Sequence, residues 1–183
     1  MEPYTEIFDK RPLTYIGEDE NQSPIVAWYN EAIYYTDRSE YAHPMSTGNL
    51  FSGSELIDVP ERFAVTKESG VNWAATENTG SISIYSFTDT GQLFVQFDGT
   101  FPTLCWNHHI KAPNEDILCF YLGASGVEGR SSRDNFSTKF DVFVDSNLTS
   151  LHAAQELSDY QGRLGIFGKY QQVSGIILAN LGN

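Results

Sequence analysis

The chain has 183 residues and a mass of 20.5 kDa, enough for one domain with a sizeable core. Its formal charge of −13, from 24 acids against 11 bases, excludes nucleic acid and anionic membrane surfaces as partners, because both demand clustered Lys and Arg. Aromatic residues make up 14% of the chain and charged residues only 19%, so the composition leans toward β structure and away from a disordered polyelectrolyte.

The opening MEPYTEIFDKRP carries neither the basic start nor the apolar run of a secretory signal. No stretch approaches the roughly 20 apolar residues of a membrane span. The expectation is synthesis in a cytoplasm without membrane insertion, with any role outside a cell reached through an assembled particle. Acid is concentrated early: residues 1–62 hold 12 acids against 4 bases, residues 63–183 hold 12 against 7. Residues 1–22 interleave six apolar side chains (Tyr4, Ile7, Phe8, Leu13, Tyr15, Ile16) with charges and with Pro3 and Pro12, which discourage a helix. The segment reads as an N-terminal arm that orders by docking, on a neighbouring subunit or on its own domain, and residues 23–183 read as a single β-rich domain.

In that domain, IVAWY and AIYYT (25–36) read as two short strands around Asn30-Glu31, with a helix as the competing reading. Residues 37–62, broken by Pro44, Gly48, Gly53 and Pro60, look like a long excursion with little regular structure. SISIYSF (81–87) and QLFVQFDG (92–99) form a hairpin across a short Gly-ended turn. ILCFYLG (117–123) is a nearly unbroken apolar run, as a central strand requires, and KFDVFVD (139–145) alternates. Leu148, Leu151, Ala154 and Leu157 recur at roughly helical spacing after capping candidates Ser146, Asn147 and Thr149, so a helix is predicted over about 148–161. LGIFGKY and QVSGIILAN (164–180) supply one or two closing strands. Many short strands and a single late helix predict an all-β fold of β-sandwich or jelly-roll-like type.

The most chemical stretch is CWNHHIKAPNED (105–116). His108, His109, Glu115 and Asp116 are its metal-ligand candidates, with His43 as a further contributor. Adjacent residues of a strand point to opposite faces, however, so the two histidines cannot share a metal from regular β structure. The plainer reading ends one strand at Trp106, restarts at Ile117 and joins them by a polar loop, leaving Cys105 and Cys119 on neighbouring strands as buried small hydrophobes. Cys105 with His108 lacks the third orienting group a nucleophile needs. Asp141, Asp145, Asn147 and Thr149 resemble an oxygen-rich calcium cradle, but no EF-hand pattern is present and the favoured reading makes Asp145 to Thr149 an ordinary helix start. Nucleophile elbow, phosphate loop and dinucleotide fingerprint are all missing, so no cofactor is expected. Asn135-Phe136-Ser137 and Asn147-Leu148-Thr149 match glycosylation sequons and, without a signal, carry no weight.

Trp28, Tyr34, Tyr35, Trp73 and Trp106 are candidate sugar-stacking platforms or interface anchors, against the more usual reading of large aromatics as core. The composition as a whole resembles modules that build phage tails, capsids or receptor-binding tips. The sequence thus favours a non-catalytic structural or recognition module, working with protein partners in a homo- or hetero-oligomeric assembly such as a virion. A metal-dependent enzyme at the His108/His109 loop is the first alternative. A carbohydrate-binding module, with a glycan as ligand, or an acidic inhibitor of a basic protein is the second.

Overall fold

The computed structural model describes residues 14–18, 24–29, 33–36, 48–51, 60–68, 71–87, 91–107, 116–156 and 163–180. They form fifteen strands in four antiparallel sheets that follow one another along the chain. The first sheet holds β1 (Thr14–Glu18), β2 (Pro24–Tyr29), β3 (Ile33–Thr36) and β4 (Gly48–Phe51). The second holds β5 (Arg62–Glu68), β6 (Val71–Asn78), β7 (Ser81–Phe87) and β8 (Gly91–Asp98). The third holds β9 (Thr100–Asn107), β10 (Asp116–Leu122), β11 (Gly126–Ser131) and β12 (Lys139–Val144). The last holds β13 (Leu148–Glu156), β14 (Arg163–Tyr170) and β15 (Val173–Asn180).

Among the described residues each strand pairs with its sequence neighbour, so every sheet is a meander, without the Greek-key crossings of a jelly roll. The leading strands β1, β5, β9 and β13 approach one another, and β1 also approaches β13. Successive meanders whose first strands converge are arranged as the blades of a β-propeller. The all-β class stands, and the layering is bladed. Within the N-terminal arm proposed from sequence, Thr14–Glu18 is a strand paired in register with β2, from Thr14↔Trp28 to Glu18↔Pro24. Residues 1–13 lie outside the described residues.

The sequence reading of one helix is overturned. Residues 148–156 are strand β13, paired with β14 through Leu151↔Gly168 and Ala154↔Ile166. The helical spacing of Leu148, Leu151 and Ala154 survives in a strand because register shifts between Leu148 and Ser150 and between Leu151 and Ala153 break the two-residue alternation. Leu151 and Ala154 therefore both face inward, three apart. Residues 157–161, the rest of the predicted helix, lie outside the described residues. The excursion at 37–62 likewise contains β4 and the start of β5.

Two cores occupy the seams on either side of the third sheet. Between the second and third sheets lie Phe63, Val65, Ile82, Ile84, Leu104, Trp106, Ile117, Cys119, Tyr121 and Phe136. Between the third and fourth lie Cys105, Leu118, Phe120, Val127, Leu151, Ala154 and Ile166. β10 is thus buried on both faces, which is why ILCFYL reads as an unbroken apolar run. Burying a side chain such as Phe120 contributes about 1.5–3 kcal/mol, and truncating it to Ala costs more because a cavity remains.

Candidate functional site

The seam between the second and third sheets carries two charged side chains stacked on aromatic rings. At its start, Arg62 on β5 is the register partner of Glu77 on β6. Arg62 Nη1 donates to Glu77 Oε1 at 2.9 Å and to Oε2 at 3.0 Å. Glu77 is 1% exposed, and its Oε2 also accepts the backbone N–H of Phe101 at 2.9 Å. A carboxylate this deep is held there by charge-assisted bonds from both sheets, the condition under which a buried charge is tolerated. The guanidinium lies 4.0 Å from the centroid of the Phe101 ring, within cation–π range. Phe101 adopts φ 54°, a left-handed conformation costly for a bulky residue, and its N–H bond to Glu77 helps hold it. The Arg62 side chain remains 41% exposed, so a rigidly seated guanidinium borders solvent beside an aromatic ring.

Further along the seam, Arg130 on β11 lies 4.2 Å from the Phe97 centroid. Its Nε donates to the Tyr121 hydroxyl at 3.1 Å, and its Nη1 donates to the carbonyls of Phe136 at 2.7 Å and Ser137 at 2.9 Å. Phe97 and Tyr121 stack with centroids 4.8 Å apart, a closeness that Gly99 permits: a Cβ there would stand 2.5 Å from the Tyr121 ring. Burial pushes the Tyr121 phenol up to about 12, with Arg130 pulling it down and Glu128 pushing it up. Glu128, the cross-strand partner of Tyr121, is also buried and takes Lys139 Nζ at 2.9 Å. Beyond Arg130, Trp73, Phe94 and Phe136 form a ring cluster with centroids 5.4–6.2 Å apart. Trp73 Nε1 is buried there without a hydrogen-bond partner.

The candidates read from sequence are scattered. Trp73 sits in this seam, whereas Trp106 is 5% exposed and belongs to the core. Trp28, Tyr34 and Tyr35 lie on β2 and β3, with Trp28 opposite Tyr34. Of the metal candidates, His108, His109 and Glu115 lie outside the described residues, as does His43. Asp116 opens β10, is 2% exposed, accepts Ser131 Oγ and pairs with Arg133 at 3.5 Å. Among the described residues no three His, Cys, Asp or Glu side chains gather around one point. Asp145 spends its Oδ1 on Asn147, accepting the backbone N–H at 2.8 Å and the side-chain amide at 2.7 Å, which holds its carboxyl below the usual range. Asp145 therefore shapes the tight turn between β12 and β13. Cys105 and Cys119 are buried thiols on neighbouring strands, as the loop reading expects.

Sequence reasoning missed Arg62, Glu77, Phe101, Tyr121 and Arg130. Their signal was a lone charge in an otherwise uncharged strand, as with Glu77 in VNWAATEN, but its partner stands 15 residues away and only the register joins them.

No family model matches the sequence, and no curated protein matches it. Among solved structures, the fold is shared with a lectin. The neighbour is a mutant of the Aleuria aurantia lectin in complex with Fucalpha1-6GlcNAc, at a TM-score of 0.52 and 10% identity. The alignment covers 90% of this chain and 60% of that one, so the chain spans about 60% of the lectin's length. At this identity the likeness is one of fold.

Proposed function

We propose that the protein is a glycan-binding module, with its ligand seated at the seam where Arg62, Glu77 and Phe101 meet. The observation that carries this reading is the half-exposed Arg62, fixed by a buried carboxylate and laid against an aromatic ring. Sugar hydroxyls are recognised by planar charged side chains whose geometry is set before binding, and the apolar face of a sugar ring packs on an aromatic. Arg62 offers the guanidinium N–H donors that Glu77 does not take, while the buried Glu77 and the Phe101 ring beneath it hold the fork in place. Glu61, whose Oε2 lies 3.8 Å from Arg62 Nη1, adds a second, half-exposed carboxylate at the rim that can accept from a sugar hydroxyl. The likeness of fold to a lectin supports the reading, and it favours recognition of a ligand over a purely structural role in an assembly.

The test is a glycan array on the purified protein, followed by titration of the best glycan against Arg62→Ala and Arg62→Lys. Loss of about tenfold or more in affinity in both variants is expected, because Lys cannot reproduce the planar fork. Absence of any glycan signal, or an affinity in either variant equal to that of the unmodified protein, overturns the assignment.

A further inference from the structure

A second recess opens where β12 of the third sheet meets the last sheet, away from the seam of Arg62. It is a hollow of about 200 Å³ lined by Phe143, Leu148, Gly168, Tyr170, Gly175, Ile176 and Ile177. Its floor comes from a cross-strand glycine pair, since Gly168 and Gly175 stand directly opposite in the β14–β15 register. The two have different reasons to lack a side chain. A Cβ on Gly168 would stand 2.7 Å from the Ser150 carbonyl oxygen, so close packing against β13 forbids one. A Cβ on Gly175 would meet nothing within 4 Å, so packing does not explain that glycine, and the empty space above it is the hollow itself. Phe143 and Tyr170, 38% and 40% exposed, lie along its lining.

From this geometry we infer that the hollow is a binding site for a small, uncharged aromatic molecule of one or two fused rings. Among the described residues the lining holds no charged group and a single hydroxyl, that of Tyr170, which is engaged by Asp145 and Asn147, so an anion finds no counter-charge and meets a carboxylate at the rim. A closed apolar cavity of about 150 Å³ takes one benzene, so this volume suits one ring or two. The bare peptide at Gly175 leaves open backbone on which a planar ring lies face down, with the rings of Phe143 and Tyr170 available for edge or offset contacts. The inference is independent of the glycan reading, since it shares no residue with the Arg62 site.

Indole is the probe, titrated into the labelled full-length protein and followed by the amide signals of Gly168 and Gly175. Saturable shifts centred on these two amides are expected, with a Kd on the order of 0.1–1 mM for so few atoms. Gly175→Leu fills the hollow without a clash and weakens binding at least tenfold while the melting temperature holds. Gly175→Ala, which adds one methyl, weakens it by a smaller factor and serves if the larger variant fails to fold. Indole-3-acetate binds more weakly than indole. The assignment is overturned by non-saturable or scattered shifts, by undiminished indole binding in the Gly175→Ala protein, or by equal affinity for indole-3-acetate.

Discussion

Leu118 and Cys119 are consecutive in the chain and belong to different cores. Leu118 packs toward the fourth sheet with Phe120, and Cys119 packs toward the second with Ile117 and Tyr121. The peptide bond between them crosses the middle of a fully buried strand, so the third sheet is the wall that two hydrophobic layers share.

The cysteines test this directly. Cys105 and Cys119 sit on adjacent strands but face opposite cores, and burial pushes the Cys119 thiol well above its ordinary range. Neither thiol should react with Ellman's reagent at pH 8 in the native protein, and both should react at once in denaturant. Rapid modification of the folded protein would contradict the two-sided burial of β10.

Glu77→Gln keeps the shape of the side chain and removes its charge. The N–H of Phe101 keeps an acceptor, but Arg62 loses the closer of its two ion pairs, keeping Glu61 at 3.8 Å, and Phe101 loses a charge-assisted anchor for its left-handed backbone. A stability loss of about 1–3 kcal/mol is expected from chemical denaturation, along with weaker glycan binding. Unchanged stability and unchanged binding together would show that the Arg62–Glu77 pair does not organise the site.

Gly126 has φ +146°, and a Cβ on it would collide with the Phe143 carbonyl oxygen. Gly126→Ala should therefore cost about 2–4 kcal/mol, combining backbone strain with displacement of β12. Gly80, with φ +80° but open space around it, should cost only about 1 kcal/mol when changed to Ala. Thermal or denaturant melts rank the two, and the reverse order would refute this account of the β11–β12 contact.

The Tyr121 phenol titrates near 12 in the fold, against about 10 for an unfolded tyrosine. A group raised in this way contributes stability that is complete below pH 10 and lost as pH climbs through 12. Alkaline unfolding should begin above pH 10 and be delayed in Tyr121→Phe, measured by circular dichroism against pH. An identical alkaline midpoint in that variant would sink the assignment.

Circular dichroism also distinguishes the strand β13 from the helix its spacing suggested. The hairpin 81–87/92–99, the apolar strand at 117–123 and the closing strands at 164–180 were legible because alternation, apolar runs and turn residues are local signals. β13 was not, because its register shifts give inward residues a three-residue spacing that imitates a helix. β5, β6 and β11 were passed over for another reason: residues such as Ala64, Ala74, Ala75 and Gly129 are strand residues by position, with little β preference to mark them. The blade order and the Arg62–Glu77–Phe101 node depend on registers between segments 15 and 24 residues apart, which no local pattern encodes.

The meander order has a consequence for how the chain is made. Every hydrogen-bonded ladder joins strands that are neighbours in sequence, so each sheet can knit as soon as its own residues leave the ribosome. A finished sheet still waits for the next one to cover its inner face, and the third shows this most plainly. When residue 145 has emerged its strands can pair, but Leu118, Phe120 and Val127 still face water until β13 and β14 arrive to cover them. A chain arrested between residues 145 and 163 would therefore present a ready-made sticky face, and its aggregation or capture by chaperones should end abruptly once synthesis passes β14.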